Sequence, residues 1–432
     1  MPAASVVGEA PPSFDPWWWR AAPPSADAGP PPPGRADVAI VGSGITGLVA
    51  AIELARSGRH VVVLDRDPPG LGASTRNAGY VGRSLKHGIG EIAERDGLER
   101  AVRVYRELRE ASEAVGETVE RHAIDCHYRR QGRLLLATTP AMLDALRREY
   151  ALRERHAGEA HTVLSRTEQR AELATDHYHG GVRIDDHAGL HPGLYHRGLL
   201  EAARRAGATV CGGCEVSALG RDIDGVALHL RDGRRLVARD AIVATNGYTG
   251  PAWRWLQRRV IPFDAYQAVS APLGEARVAA LLAGDRTFID WNFDVDWFRR
   301  VPDDPSRIQF GGLTGGRNED LRSIARRLRA RMLRIFPDLG DLAVSHVWTG
   351  RCAGTFDFEP RIGLHDGIHY AGGYCFVGVP MGTLFGRKLA SRVLGRAGGD
   401  SAFDRPFRTA PFYRGDPWFV PLAFRWMRRH DR

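Results

Sequence analysis

The stretch GSGITG, residues 42–47, has a residue pattern suited to binding phosphate groups. Its glycines would permit a tight turn at Gly42, a close approach of a pyrophosphate at Gly44, and close helix–strand packing at Gly47. A helix that begins here presents N–H groups to phosphate oxygens. Asp65 follows at the spacing that suits an acid bonded to ribose hydroxyls. The pattern predicts a dinucleotide site made by the three glycines with Ser43, Ile45, Thr46, Asp65 and Arg66.

The elements around this stretch fit a strand–turn–helix–strand unit. Residues 36–41 form an apolar run without helical period, which predicts a buried parallel strand. Residues 45–56 carry apolar residues on one helical face, and Gly58 ends that helix. Residues 60–64 form a second strand that ends just before Asp65. The strands, the helix and the acid follow one another in the order and at the spacing of a dinucleotide-binding unit, which is a more specific signal than the glycines alone.

Two distant segments indicate which dinucleotide is bound. The segment ATNGYT, residues 244–249, closes a buried strand with a tight turn. The segment AGGYCFVGVPMG, residues 371–382, places paired glycines before a helix that opens with small residues and whose start can face a flavin. A cofactor that contacts these segments and the glycine turn must be long and buried, which favours FAD over a dissociable nicotinamide. We therefore expect Gly42, Asn77 and Gly378 to surround one cavity.

These segments together resemble the glycine oxidase and D-amino-acid oxidase (DAO) superfamily of FAD-dependent oxidoreductases, nearest its γ-glutamylputrescine oxidoreductase-like branch. The resemblance covers most of the chain and is carried by VAIVGSGITGLVAAIELARSGRHVVVLDRD, GASTRNAGYV, ATNGYT, VWTGRCAGTFDFEPRIG and GYCFVGVPMGTLFGRKLA. It implies an α/β fold with a doubly wound, Rossmann-like FAD-binding domain. It also implies a second, α+β substrate domain built on a large, mostly antiparallel sheet. These motifs are specific for the superfamily and indicate little about the substrate.

The resemblance implies a discontinuous FAD-binding domain made of residues 36–90, 160–255 and 345–400. Residues 91–159 and 256–344 would form the substrate domain, and residues 401–432 a C-terminal tail. Residues 1–35 would form a flexible Pro- and Trp-rich leader whose three tryptophans dock on the body of the protein. Residue patterns predict strands of the substrate domain within 126–138, 180–190, 261–273, 286–302 and 306–312, and helices around 91–121, 139–155, 192–206 and 318–334.

The same resemblance implies most of the cofactor contacts. In the family, the stretch GASxRNxG lies along the pyrophosphate and flavin, and the residue that matches Val216 meets the adenine side. The further implied cofactor-binding residues are Gly72, Ala73, Ser74, Arg76, Asn77, Gly79, Val216, Thr245, Asn246, Gly247, Gly350, Gly373, Gly378, Val379, Met381 and Gly382. Relatives similar to sarcosine oxidase link the flavin to a cysteine, but the matching position here is Gly350, so we expect non-covalent FAD. A covalent role for Cys375 is the alternative to its packing against the cofactor.

The chain departs from the family pattern where a substrate would be held. Glycine oxidase-like members carry GLRP, whose arginine pairs with the substrate carboxylate, whereas Cys352 stands at that position here and Arg351 precedes it. A one-residue offset can turn a side chain to the opposite strand face. The offset therefore argues against a bidentate carboxylate clamp and favours amines over α-amino acids, and the alternative is that Arg351, Arg299 or Arg76 still binds a substrate carboxylate. An ion pair is the alternative role for Arg351, and the candidate catalytic and pocket-wall residues are Arg351, Arg299, Trp297 and Tyr266.

These patterns predict that the protein oxidises a C–N bond of an amine or amino acid by hydride transfer to flavin, after which the imine is hydrolysed. Some relatives use a lysine over the flavin to speed the reaction with O2. The segments predicted as substrate-domain strands contain no lysine, so either an arginine such as Arg299 supplies the charge or another electron acceptor replaces O2. Two alternatives stay open: FAD-dependent oxidation of another small molecule or natural product, and a non-catalytic flavin-holding subunit whose leader is a docking arm.

Composition restricts the partners and the location. The basic residues that give the net charge of +9 are interspersed with acidic residues along the sequence, which is not the pattern of a nucleic-acid-binding protein. Runs of about 18 uncharged apolar residues, which a membrane span needs, are absent from the sequence. The five scattered cysteines suit a reduced cytoplasm. Five histidines lie between residues 177 and 196, but His191-Pro192 suits a strand end followed by a helix start, so no metal is expected.

Overall fold

The computed structural model describes residues 11–316 and 318–427. Its strands are β1 (Arg35–Val41), β2 (Val61–Leu64), β3 (Tyr80–Val81), β4 (Arg133–Leu136), β5 (Thr162–Leu164), β6 (Gly181–Ile184), β7 (Ala188–Gly189), β8 (Thr209–Cys211), β9 (Val216–Asp222), β10 (Gly225–Leu230), β11 (Arg235–Val243), β12 (Ile261–Ser270), β13 (Thr287–Asp290), β14 (Trp297–Val301), β15 (Asp304–Gly316), β16 (Val344–Gly354), β17 (Arg361–His365) and β18 (Ile368–Gly372). Its α-helices are α1 (Ile45–Arg56), α2 (Ile89–Asp96), α3 (Leu98–Arg121), α4 (Pro140–Ala157), α5 (Arg166–Glu172), α6 (Pro192–Arg205), α7 (Arg254–Gln257), α8 (Glu275–Leu281), α9 (Leu321–Ile335), α10 (Gly378–Val393) and α11 (Val420–Met427).

The first sheet has a parallel centre in the order β18-β11-β1-β2-β8. Strands β17, β10 and β9 extend it by antiparallel pairing. The central strands read as unbroken apolar runs because both of their faces are covered, and Val38, Ala39 and Ile40 are fully buried. The carboxyl ends of β1 and β2 meet at one edge of the sheet, where the glycine turn and Asp65 follow them.

Helices α1, α6 and α10 cover one face of the first sheet. Their apolar sides form, together with α3, a core cluster that includes Leu48, Leu199 and Leu384. The β9–β10 hairpin and Trp253 cover the opposite face. The α/β class expected for this part of the chain, with its Rossmann-like strand–helix–strand unit, is confirmed.

The second sheet has the order β16-β12-β15-β14-β13-β4-β6-β5. Its pairs are antiparallel except that β13 runs parallel to β4. Helix α9 packs on one face, where Ile324 and Leu328 share a buried cluster with Phe298 and Phe310. The expectation of a second, mostly antiparallel sheet is therefore confirmed.

The four segments with helical periodicity are helical in the structure, whereas the short helices α5, α7, α8 and α11 were not predicted. The four predicted segments correspond to α2 with α3, to α4, to α6 and to α9. In α4, Thr139 accepts the Met142 N–H at 3.1 Å, Pro140 starts the helix, and Gly158 ends it with a φ of 62°. The first segment is split because Gly97 adopts a φ of 90° between α2 and α3. Among the helices of the described residues, none is long and apolar enough to cross a membrane.

In the part of the leader that the structure describes, residues 11–35, the segment around the tryptophans packs on the rest of the protein. Residues Trp17–Arg20 form a short 3-10 helix in which Trp17 and Trp18 are buried. The expected docking of the tryptophans is confirmed, while residues 1–10 lie outside the described residues. The domain boundaries stay a prediction, and β5, β6 and β16 pair in the second sheet although the FAD-domain segments were expected to include them.

Candidate active site

A cavity of about 1410 Å³ extends from the carboxyl ends of β1 and β2 to the second sheet. Its wall includes Gly42, Asn77 and Gly378, the three residues that the sequence predicted to surround one cavity. Val216 lies on the wall beside the first sheet, and Trp297 lies on the wall formed by the second. The cavity exceeds the range of about 300–1,000 Å³ usual for small-molecule pockets, so it has room for a dinucleotide together with a substrate.

The glycine turn on the cavity wall brings protein atoms closer together than larger residues would allow. Gly42 has a φ of +105°, and an added Cβ would lie 3.0 Å from the Ala244 carbonyl oxygen. At Gly47 an added Cβ would lie 2.0 Å from the Gly42 oxygen. Gly44 is the N-cap of α1, whose N–H groups and positive dipole end are suited to phosphate. The backbone therefore makes a cradle for an anionic group.

Asp65 holds the glycine turn and faces the same cavity. Its Oδ2 accepts the Ser43 N–H at 2.8 Å and the Ser43 hydroxyl at 2.6 Å. Its Oδ1 accepts the Asp67 N–H at 3.1 Å. Arg66 lies beside it on the wall, with its guanidinium 5.4 Å from the centre of the Tyr248 ring. An acid thus follows β2 on the cavity wall, and its bonding to ribose hydroxyls stays a prediction.

The loop of residues 72–79 closes over the start of α1. The Ser74 hydroxyl accepts the Ile45 N–H at 3.1 Å. The Asn77 amide donates to the Ser74 carbonyl at 2.8 Å, and its Oδ1 accepts the Gly79 N–H at 2.8 Å. These bonds fix the loop beside the glycine turn, so that one surface is built from residues about thirty positions apart.

The last glycine-rich segment reaches the same place from the far end of the chain. The Asn246 side chain accepts the Gly373 N–H at 2.9 Å. The Tyr374 and Thr46 hydroxyls are hydrogen-bonded at 2.7 Å. Helix α10 begins at Gly378, on the cavity wall. Residues separated by more than 300 positions therefore meet at one site.

Most predicted cofactor residues lie on the wall. They are Gly42, Ser43, Gly44, Ile45, Thr46, Asp65, Arg66, Gly72, Ala73, Ser74, Arg76, Asn77, Val216, Thr245, Asn246, Gly378 and Val379. The remaining ones lie off the lining: Gly47, Gly79, Gly247, Gly350, Gly373, Met381 and Gly382. Several of these allow close backbone contacts, since an added Cβ would lie 2.1 Å from the Leu190 oxygen at Gly79 and 2.7 Å from the Cys352 oxygen at Gly247.

The second sheet supplies the far end of the cavity. The Trp297 indole lies against Gly311, where an added Cβ would be 2.4 Å from the ring. Further aromatic wall residues are Tyr80, Trp291, Phe293 and Phe376. We call this end, lined by aromatic residues, the chamber.

Arg351 lies on the cavity wall, and so does Cys352. The one-residue offset therefore does not turn Arg351 away from the cavity. The Arg351 Nε lies 3.7 Å from Oδ1 of Asp264, a buried carboxylate that also accepts the Asn318 N–H at 3.1 Å. The ion pair expected as the alternative role for Arg351 is present.

Two candidate pocket residues lie elsewhere, which corrects the sequence-based prediction. Alternate residues of β12 face opposite ways, so Gln267 faces the cavity and Tyr266 enters the core beneath α9. Arg299 is 1% exposed and lies off the wall. It donates to the Gln309 side chain at 2.9 Å and to the Leu190 carbonyl at 2.8 Å. Burial lowers the pKa of Arg299 to about 10, and its bonds to protein acceptors give it a structural role.

A family model described as FAD dependent oxidoreductase (DAO) matches residues 37–392. The chain belongs to this family. It is 31% identical over 374 residues to gamma-glutamylputrescine oxidoreductase of Escherichia coli (strain K12), covering 85% of each chain. It is 30% identical over 366 residues to the probable oxidoreductase OrdL of Rhizobium meliloti (strain 1021), covering 84% of each chain. The glycine oxidase structure from Geobacillus kaustophilus is 22% identical, with a TM-score of 0.70 over 88% of this chain and 99% of that one, which shows a shared fold.

FAD is the cofactor of this family of oxidoreductases, and the residues present fit it. The glycine cradle at residues 42–47 and the start of α1 would hold the pyrophosphate. Asp65 would bond a ribose, and the loop of residues 72–79 with the start of α10 would enclose the rest. The cradle is the observation that carries the fit, because Gly42 and Gly44 lie on the cavity wall and the glycines allow close approaches within the turn that a Cβ would prevent.

Lys86 and Asp290 are among the titratable groups on the cavity wall that sequence reasoning missed. Lys86 places its Nζ 3.8 Å from the centre of the Phe293 ring; its rarity, as one of two lysines, was a usable signal. Asp290 accepts the backbone N–H groups of Asn292 at 3.2 Å and Asp296 at 3.1 Å. Burial and, secondarily, the Asp296 carboxylate raise the pKa of Asp290 to about 8. Nothing in the local sequence indicated this environment.

In the histidine-rich segment of residues 177–196, His191 and His196 have structural roles. His191 accepts the Leu194 N–H at 3.1 Å and caps α6, which confirms the predicted helix start at Pro192. His196 lies 2.8 Å from the Ser43 carbonyl oxygen. Across residues 11–316 and 318–427, no group of three or more His, Cys, Asp and Glu side chains is arranged to hold a metal ion.

Proposed function

We propose that this FAD-dependent oxidoreductase oxidises a C–N bond of a small amine or amino acid to an imine, which water then hydrolyses. The observation that carries the proposal is the continuity of one cavity from the glycine cradle to the aromatic chamber of the second sheet. A substrate in the chamber would lie against the end of the cofactor. The similarity to gamma-glutamylputrescine oxidoreductase supports an amine as substrate.

In the proposed reaction, the residues of this chain position the substrate, exclude water from it and supply charged groups beside it. FAD, when bound, provides the acceptor for the two electrons of the C–N bond. The rings of Tyr80, Phe293 and Trp297 offer apolar walls that exclude water and orient a small substrate. Asp290, with its raised pKa, is suited to accept a proton from an ammonium group as the pH rises through about 8.

We propose that amines are preferred over α-amino acids. Arg351 would be the natural partner of a substrate carboxylate, but Asp264 already stands 3.7 Å from its Nε. A carboxylate that enters beside Arg351 would meet the like charge of Asp264. A neutral amine without a carboxylate meets no such repulsion. This contact supports the departure from the glycine oxidase pattern that the sequence indicated.

We propose that FAD is held non-covalently. Cys352 and Cys375 both lie on the cavity wall. Burial raises the pKa of each thiol to about 12, so both are protonated at neutral pH. Because the thiolate is the reactive form of cysteine, this environment supports packing against the cofactor rather than a bond to it.

The electron acceptor and the location follow as further parts of the proposal. Lys86 gives the chamber a positive charge, which would stabilise a developing anion if O2 is the acceptor. Another acceptor is the alternative. The five cysteines are free thiols, which supports a reduced, cytoplasmic location.

Turnover assays test the proposed reaction. Purified, FAD-loaded protein is incubated with an artificial electron-accepting dye and with matched pairs of amines and α-amino acids, and dye reduction and carbonyl product are measured. We expect both with amines and weaker turnover with the amino acid of each pair. Carbonyl product from alcohols but not from amines would favour oxidation at an oxygen-bearing carbon. Bound FAD without turnover of any compound would favour a flavin-holding subunit.

A further inference from the structure

The N-terminal segment of residues 13–22, here called the strap, packs on the second sheet and reaches α6 and the loop of residues 72–79. Its Ser13 N–H donates to the Ser345 carbonyl at 2.9 Å, and the Val347 N–H donates to the Ser13 carbonyl at 2.9 Å. This pairing adds the strap to the edge strand β16. Trp17 and Trp18 are 1% and 0% exposed. The strap is therefore packed into the fold through backbone hydrogen bonds and buried side chains.

Two strap tryptophans bond directly to the loop of residues 72–79. The Trp18 indole N–H donates to the Asn77 carbonyl at 2.9 Å. The Trp19 indole N–H donates to the Thr75 hydroxyl at 3.0 Å. The Arg76 guanidinium lies 4.4 Å from the centre of the Trp19 ring, a distance suited to a cation–π contact. Three successive loop residues are thus held from the strap side.

The second sheet holds the same loop from its other side. The Arg76 carbonyl accepts the Trp348 indole N–H at 3.0 Å and the Gln267 amide at 2.6 Å. Trp348 also packs edge-on against Trp18, with the ring centres 6.1 Å apart. The loop is clamped between the strap and strands β12 and β16.

The clamped loop is the one that forms the cofactor side of the cavity. Ser74, Arg76 and Asn77 line the cavity, and Ser74 also accepts an N–H from the first turn of α1. Residues 13–22 all lie in the described part of the chain and are absent from the lining. The strap therefore acts on the cavity through the loop.

We propose that Trp18 and Trp19 are positioning residues that hold the loop of residues 72–79 in the conformation that binds FAD. Without their indole N–H bonds, the loop would have to be ordered by the cofactor itself, and that ordering would reduce the affinity. The N-terminal segment is then a remote part of the cofactor site, although it precedes the first strand of the FAD-binding fold.

The test compares three tryptophans of the same strap. Trp18→Phe and Trp19→Phe each keep an aromatic ring and remove one bond to the loop. Trp17→Phe also removes an indole N–H bond, 3.0 Å to Asp303, whose acceptor lies outside the loop. The dissociation constant for FAD is measured by titrating FAD into each apoprotein, and the melting temperature of each apoprotein is recorded separately.

We expect Trp18→Phe and Trp19→Phe each to weaken FAD binding about fivefold, the usual effect of one lost hydrogen bond. Trp17→Phe should leave FAD affinity unchanged. It should lower the melting temperature of the apoprotein about as much as the other two substitutions do. Equal FAD affinity in all three variants would overturn the proposal and leave the strap a purely structural element. Equally weakened FAD binding in all three variants would overturn it as well, because the effect would then not depend on a bond to the loop.

A second measurement covers the case in which Trp18→Phe does not fold. Thr75→Val removes the acceptor of the Trp19 bond from the loop side. If the bond acts as proposed, the Trp19→Phe, Thr75→Val double variant binds FAD no more weakly than the weaker-binding single variant. Fully additive losses of affinity would overturn the proposal, since the two side chains would then act independently.

Discussion

At Gly47 two effects of opposite sign compete. Alanine stabilises a helix relative to glycine by about 1 kcal/mol, but a Cβ here would lie 2.0 Å from the Gly42 oxygen. We expect the clash to dominate, so that Gly47→Ala lowers the free energy of unfolding of the apoprotein by about 1–3 kcal/mol and weakens FAD binding. Thermal unfolding and FAD titration measure both. Gly220→Ala is the control, because no atom lies within 4 Å of its added Cβ. Unchanged FAD affinity in Gly47→Ala would contradict the cradle.

Asp264 is expected to set the substrate preference through Arg351. Asp264→Asn removes the carboxylate 3.7 Å from the Arg351 Nε and leaves the guanidinium to attract a substrate carboxylate. We expect KM for an α-amino acid to fall about threefold to fivefold, since partly exposed ion pairs contribute about 1 kcal/mol or less. KM for the matching amine should change little. Asp285→Asn, at an exposed pair with Arg129, is the control. A KM that falls equally for both substrates would be inconsistent with this role.

Asp290 is expected to make the protein less stable as the pH rises. Its pKa in the folded protein is about 8 against an ordinary value of 3.8. Between these values the folded state holds a proton that the unfolded state has lost, so the free energy of unfolding decreases with pH. Asp290→Asn lacks this titration, and its melting temperature should rise relative to the parent from pH about 4 to about 8. If the difference in melting temperature between the variant and the parent stays constant across this pH range, Asp290 is already ionised in the folded protein.

Among the elements, the contact between α1 and α10 carries a direct prediction. Gly386 of α10 faces α1, and an added Cβ would lie 2.7 Å from the Val49 Cβ and 2.8 Å from the Thr46 oxygen. Gly386→Ala should push the helices apart and lower the free energy of unfolding by about 1–3 kcal/mol. FAD should also bind more weakly, because Thr46 lies on the cavity wall. Ser391→Ala on the same helix is the control. Wild-type stability of Gly386→Ala would indicate that the helices are not in close contact.

Elements with strong local signals were predictable, and contacts between distant elements were less so. The helix α1 and its flanking strands follow from apolar runs and glycines close in sequence. Tyr266 and Arg299 were misplaced because a strand pattern gives two faces without saying which one meets the cavity. The docking of the strap tryptophans was expected, but their partners were not, because Asn77 and Trp348 lie far away in sequence. Asp290 was missed for the same reason, since burial created by β13 and its neighbours sets its pKa.

For the whole molecule, the cavity that spans both sheets predicts that FAD stabilises the complete fold. A ligand that binds only the folded state at a free concentration 100 times its dissociation constant adds about 2.7 kcal/mol. We therefore expect the melting temperature of the apoprotein to rise with FAD concentration, and both sheets to unfold at the higher temperature. Calorimetry of the apoprotein at several FAD concentrations measures this. A transition that keeps its temperature at every FAD concentration would show that the cavity does not hold the cofactor.

The most direct test of the account is the flavin absorbance of the purified holoenzyme, followed under anaerobic conditions as an amine is added. The account predicts that the oxidised flavin band bleaches, that the observed rate saturates with amine concentration, and that one carbonyl product forms per flavin reduced. It also predicts slower bleaching by the α-amino acid that matches the amine. A band that persists through a broad panel of amines and amino acids, in protein whose FAD is bound and reducible by dithionite, would contradict the proposed oxidation of C–N bonds.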